Sequence, residues 1–148
     1  MTSKATRALS FFVDANVLVC SAVSSDYREG CFEILEAIAR REVDGGTSPA
    51  ALEEVWCIER SGRAGILEGL TTQAYTLFTP LLPVTDQAFR LALAVRAPRL
   101  GTNDRLHVGT CLAHEIEVIV SADAGFDGVK GVRRIDPLDS RSRRRLMA

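Results

Sequence analysis

The sequence predicts an α/β protein: a three-layer α/β/α sandwich built on a mainly parallel sheet. Three observations carry that expectation. Strand-like runs alternate with helical spacings along the 148 residues, the pattern of a parallel sheet covered by helices. Phe11-Phe12-Val13 is apolar on both alternating faces, as a strand buried from two sides must be. Asp14 follows at its C-terminal end, the edge at which open α/β sheets bind ligands.

The elements follow in order. Asp26 to Glu42 spaces Cys31, Ile34, Leu35 and Ile38 as one helix face, with Phe32 and Ala39 beside it. That helix is expected to stop near Asp44-Gly45-Gly46, where glycine lets the chain turn. Thr47 and Ser48 form a short strand or a turn. Ser48-Pro49 supplies a cap and a first-turn proline for a second helix that runs to Ser61-Gly62. Ala64 to Phe78 is a third helical stretch, and Leu81-Leu82-Pro83-Val84 reads as a strand. Thr85 or Asp86 caps the next helix, which ends before Pro98; Gly101 to Asp104 is a loop opening a helix over Arg105 to Glu115. Val118 to Ser121 is a β-branched strand followed by a turn at Ala122 to Gly125, and Val132 to Ile135 supplies a last short strand.

This organisation implies one domain over residues 1–148, with a core at about 11–137 and a basic tail at 138–148. A composition of 47% hydrophobic and 25% charged residues fits a packed globular core and excludes a disordered chain. No apolar run is long enough to span a bilayer, and Met1 to Ser10 lacks the apolar centre of a secretory leader, so the expected compartment is the cytoplasm. Cys20, Cys31, Cys57 and Cys111 show no metal-ligand spacing and are read as reduced structural thiols. The net charge of −1 conceals an asymmetry: Arg141, Arg143, Arg144 and Arg145 crowd the last eight residues, leaving −5 over residues 1–140. Such a tail is either a solvated end or a contact to nucleic-acid phosphates or an acidic partner.

Acids stand in four places: Asp14 after the first strand, Glu53-Glu54 within the second helix, Asp104 at a helix start, and Asp123 with Asp127 after the late strand. Each has an ordinary explanation as a helix cap, a dipole partner, a solvated helix acid or a turn residue. Gathered at one sheet edge, however, they would form an acidic cup that only a cation lets stay ionised. All-oxygen ligation suits magnesium or manganese, and one or two such ions would support phosphodiester hydrolysis.

Four segments then resemble, in order, the motifs of the PIN-domain family of metal-dependent ribonucleases, and more closely the toxin subunit of VapBC toxin–antitoxin pairs. They are Val13-Asp14-Ala15-Asn16-Val17-Leu18, Thr47-Ser48-Pro49 leading to Glu53-Glu54-Val55-Trp56, Asp104-Arg105-Leu106-His107-Val108, and Ser121-Ala122-Asp123 with Phe126-Asp127. The resemblance spans about Phe11 to Pro137. It implies a five-stranded parallel sheet, an acidic pocket for magnesium or manganese, and RNA cleavage leaving a 5′-phosphate and a 3′-hydroxyl. Carried over residue by residue, Asp14, Glu54, Asp104 and Asp123 are the catalytic acids. Asp14, Asp104, Asp123 and, further out, Asp127 hold the metal, while Asn16 and Ser121 orient the carboxylates. Glu54 is favoured over Glu53 because it directly precedes Val55-Trp56, and the choice stays open.

His107 is expected as a packed helix residue and Trp56 as core or partner-facing; Arg105, Arg63 and the tail arginines are candidates for RNA phosphates. Ala15 stands where many relatives carry Thr or Ser. Gly109 replaces the usual Ala, at no cost or a slight one within a helix. Implied partners are an RNA substrate, a cognate antitoxin and a second copy of the chain, with no membrane. A haloacid-dehalogenase-like phosphatase is disfavoured because Asn16 stands where it needs a second Asp. The remaining alternative is a catalytically silent PIN-like module that binds RNA or an antitoxin as a regulator.

Overall fold

A computed structural model describes residues 9–148, so the expectation for Met1 to Ser10 falls mostly outside the described residues. Its sheet has four parallel strands in the order β2-β1-β3-β4, with β1 Phe11–Val13, β2 Gly45–Gly46, β3 Val118–Val120 and β4 Arg133–Ile135. Around it lie α1 Ala15–Ala22, α2 Arg28–Ala39, α3 Pro49–Ser61, α4 Leu70–Phe78, α5 Asp86–Leu93, α6 Thr102–Ala113 and α7 Ser140–Met147. The chain leaves β1 toward β2 on one side and returns to β3 on the other. The order therefore reverses at the β1/β3 crevice, directly above which Asp14 sits.

Alternation along the strands builds the two faces. Phe11, Val13 and Val120 pack with Val17, Leu18, Ile34, Leu52, Val55 and Phe78, whereas Phe12 and Ile119 face Val108, Cys111 and Phe126. All three β1 residues are fully buried, each large side chain contributing about 1.5–3 kcal/mol by leaving water. Ser48 and Thr85 cap α3 and α5 as the sequence suggests, and Gly62 ends α3 at φ 68°.

Several expectations give way to packing. The sheet has four strands and not five, because Leu81 to Val84 forms no strand. One bond survives, from the Leu82 amide to the Thr47 carbonyl at 2.9 Å, and Pro83 has no N–H to extend the ladder. Gly45-Gly46 is itself β2 and not a turn. A Cβ on Gly45 would lie 2.6 Å from the Phe11 ring, and one on Gly46 2.4 Å from Leu9. The third helix begins only at Leu70, where the Glu59 carboxylate accepts the Gly69 and Thr71 amides at 3.2 and 2.8 Å. The basic tail is helical: Asp139 caps α7, Arg143 reaches the Pro137 carbonyl at 2.6 Å and Glu33 of α2 at 3.4 Å, and Leu146 joins the core. Arg141, Arg144 and Arg145 stay on its exposed face.

Gly109 is required by the contact between α5 and α6. A Cβ there would stand 2.2 Å from the Ala88 carbonyl oxygen and 2.8 Å from the Ala92 nitrogen, both backbone atoms. Alanine would raise helix propensity by about 1 kcal/mol, yet overpacking at this depth costs about 1–3 kcal/mol. Gly109→Ala is therefore expected to lower stability by about 1–2 kcal/mol net. Urea unfolding measures it, and a variant as stable as the parent would refute the close approach.

Candidate metal centre

Asp14 is the fixed point of the site. It ends β1, its amide donates to the Val120 carbonyl at 3.0 Å, and its carboxylate begins α1 by accepting the Ala15 amide at 2.7 Å. It is thus both a helix cap and a member of the acidic group. Its other oxygen accepts from the Ser121 hydroxyl at 2.7 Å and from the Asn16 amide at 3.2 Å. Asn16 also donates to the Ser121 oxygen at 3.0 Å and takes the Ala122 amide at 3.1 Å, while the Asp123 amide donates to Ser121 at 3.0 Å. One small network thereby ties the ends of β1 and β3 together. Thr47 completes it from the other side, donating to the Val13 carbonyl at 2.7 Å.

Across the crevice, α3 presents Glu54 while Glu53 is exposed. Asp14, Glu54 and His107 bring one ligand-capable atom each to within 4.8 Å of one another. His107 Nε2 lies 3.3 Å from Glu54 Oε1 and 3.6 Å from Asp14 Oδ1. Asn103 also donates to Glu54 Oε1. Asp104, half-buried at the start of α6, flanks the group, and Asp123 is exposed and accepts the Gly125 amide at 2.8 Å.

The imidazole of His107 is the basic group that faces these acids. No Lys or Arg among the described residues makes an ion pair with Asp14, Glu54 or Asp104. Burial, and then the charge of Asp14, push the Asp104 carboxyl up from 3.8 to about 7, with Glu54 and Asp123 adding to the rise. Burial also raises Asp14, against the pull of His107 and the Ser121 bond. His107 is raised as well: its burial opposes the charge, but the bond to Glu54 and the charges of Asp14, Glu54 and Asp104 outweigh it.

Other candidates sit elsewhere. Asp127 gives both oxygens to Arg134, at 2.8 and 3.1 Å, and that pairing lowers its pKa. Arg134 also donates to the Ser121 carbonyl at 3.0 Å, so it braces the loop that carries Asp123. Arg105 donates its guanidinium to the carbonyls of Val95, Ala97 and Leu100, each at 3.0 Å. Trp56 is exposed. Sequence reasoning missed Asn103 and set His107 aside as packing. The available signal was their spacing of four around Asp104, which stacks both on one helix face.

Fold and site together define a class: a parallel α/β protein that gathers carboxylates at the C-terminal edge of its central strand. The chain belongs to the PIN domain family, whose model matches residues 11–132. It is similar in fold to a chain of the crystal structure of VapBC2 from Rickettsia felis bound to a DNA fragment from their promoter. The TM-score is 0.65 at 13% identity, over 84% of this chain and 96% of that one. No curated protein matches it. Among the described residues, no helix is long and apolar enough to cross a membrane.

The raised carboxyl fixes a sign for pH. Folded Asp104 binds its proton more tightly than the unfolded chain does, so its contribution to stability is complete below pH 3.8 and lost as pH rises through about 7. Asp14 and His107 act in the same direction. Metal-free protein is expected to melt at lower temperature as pH climbs across that window, with a shallower slope in Asp104→Asn. An unchanged slope in that variant, by thermal melts in chelator, would show that Asp104 titrates normally.

Proposed function

We propose that the chain is a magnesium- or manganese-dependent endoribonuclease acting as the toxin of a VapBC-type toxin–antitoxin pair. PIN domains are generally nucleases, and this chain has the acidic cluster such chemistry needs. The observation that carries the reading is the convergence of Asp14, Glu54 and Asp104, from three separate elements, with no Lys or Arg partner among the described residues and only the His107 imidazole between them. Their all-oxygen donors fit a hard divalent cation, which would also relieve their mutual repulsion.

In this reading Asp14, Asp104 and Asp123 would hold the ion, and Glu54 would bind it or polarise the attacking water. Asn16 and Ser121 keep the Asp14 carboxylate aimed. Asp127, paired with Arg134, contributes through the loop and not as a ligand. When bound, the metal supplies a more acidic water and charge neutralisation at the phosphate. Water adds to phosphorus as the bond to the 3′ oxygen breaks, giving a 5′-phosphate and a 3′-hydroxyl. The protein acts in the cytoplasm as a single domain.

Partners follow from the same reading. The fold shared with the VapBC2 complex supports a cognate antitoxin as partner. On α5, Phe89 and Leu93 are 55% and 75% exposed, an apolar face that supports a homodimer.

The test is cleavage of transfer, ribosomal and messenger RNA by nuclease-free protein with added magnesium. Asp14→Asn and Asp104→Asn each remove ligand charge but keep shape. Losing several kcal/mol of charge stabilisation predicts a drop of roughly 100-fold or more, with folding retained by circular dichroism. Cleavage at the parental rate in both variants would defeat the assignment. Tight ion binding with no turnover on any RNA would favour the silent regulatory module.

A further inference from the structure

We propose that Asn103 and His107 form a two-donor clamp on Glu54 Oε1, so that His107 is a positioning residue and not a metal ligand. The proposal rests on the metal-dependent reading above and deepens it. Both donors come from one face of α6, one turn apart, and straddle Asp104. Asn103 Nδ2 and His107 Nε2 meet the same Glu54 oxygen, the latter at 3.3 Å. Among the described residues Glu54 Oε2 takes no hydrogen bond, which leaves it for the ion or its water.

The ring itself argues against ligation. Nε2 faces oxygens of two carboxylates, and a bare lone pair there would repel both. A ligating Nε2 needs the proton on Nδ1, but Nδ1 is buried without any hydrogen-bond partner. Metal-bound histidines almost always donate their second N–H to a carboxylate or carbonyl. The neutral Nε2–H form and the imidazolium both carry the proton where Glu54 can accept it; the ligand form alone does not. The ring is fully buried against Phe12, with centroids 5.3 Å apart, so it has no room to turn its other edge inward. Glu54, on a different helix and part-exposed, is the side chain that needs holding.

Two measurements test the clamp. In nitrogen-15 spectra of the metal-free protein and of the protein with saturating magnesium, the His107 ring is expected to keep its Nε2 proton in both states. Loss of that proton, in either state, overturns the proposal. Calorimetric titration with manganese then compares variants. His107→Leu and Asn103→Ala are expected to bind about 10–100-fold more weakly. His107→Gln, whose amide nitrogen reaches the same point as Nε2, is expected to restore the affinity. Equal losses in His107→Gln and His107→Leu would make the ring a ligand, and no loss in His107→Leu or Asn103→Ala would remove the clamp. A wild-type protein that binds neither ion would sink the metal-dependent function, while the metal-free spectrum still decides the clamp.

Discussion

The rest of the structure depends on one buried carboxylate. Asp14 is 2% exposed at the end of a strand with three fully buried residues before it. Holding an ionised group there costs several kcal/mol unless its oxygens are met. They are met by the first amide of α1, the Ser121 hydroxyl and the Asn16 amide. Those donors exist in the right place only because β3 lies beside β1 and α1 begins at once. The same contacts that satisfy the acid therefore fix the crevice between the two strands, and fold and site share one set of bonds.

Packing around that point explains the residues that look least informative in the sequence. The glycines of β2 bring the edge strand against Phe11 and Leu9, where any side chain would collide. Gly109 does the same for α5 against α6, the helix that carries Asn103, Asp104 and His107. The placement of three site residues thus passes through a position with no side chain. A tolerance argument based on helix propensity alone has the wrong sign there, because propensity is local and the collision is not.

What the sequence made legible follows the same division. The doubly buried first strand and the Ser48-Pro49 and Thr85 caps are signals carried by neighbouring residues, and they reappear where expected. The missing fifth strand, the helical tail and the partner of Asp127 depend on distant elements: Thr47 against Leu82, Glu33 against Arg143, Arg134 against the loop beyond β3. Periodicity reports which face a residue shows, but not which charge will stand opposite it. His107 is buried as its place on the helix predicts, but burial alone does not reveal which oxygens its nitrogen faces.

Charge pairing then decides which acids remain available. Arg134 lies near both Asp127 and Asp136, Arg143 meets Glu33, and Arg40 meets Glu36. Those acids have their charge balanced within the fold. Asp14 and Glu54 are given amides, a hydroxyl and an imidazole instead. Such donors orient a carboxylate but, apart from a protonated His107, bring no compensating charge. Burial first, and then the charge of Asp14, leave Asp104 a carboxyl that keeps its proton to about 7. An arginine in the cup would cancel the field that draws in a cation. With none among the described residues, negative potential persists where the strand order reverses, and the cost appears as stability lost when Asp104 ionises.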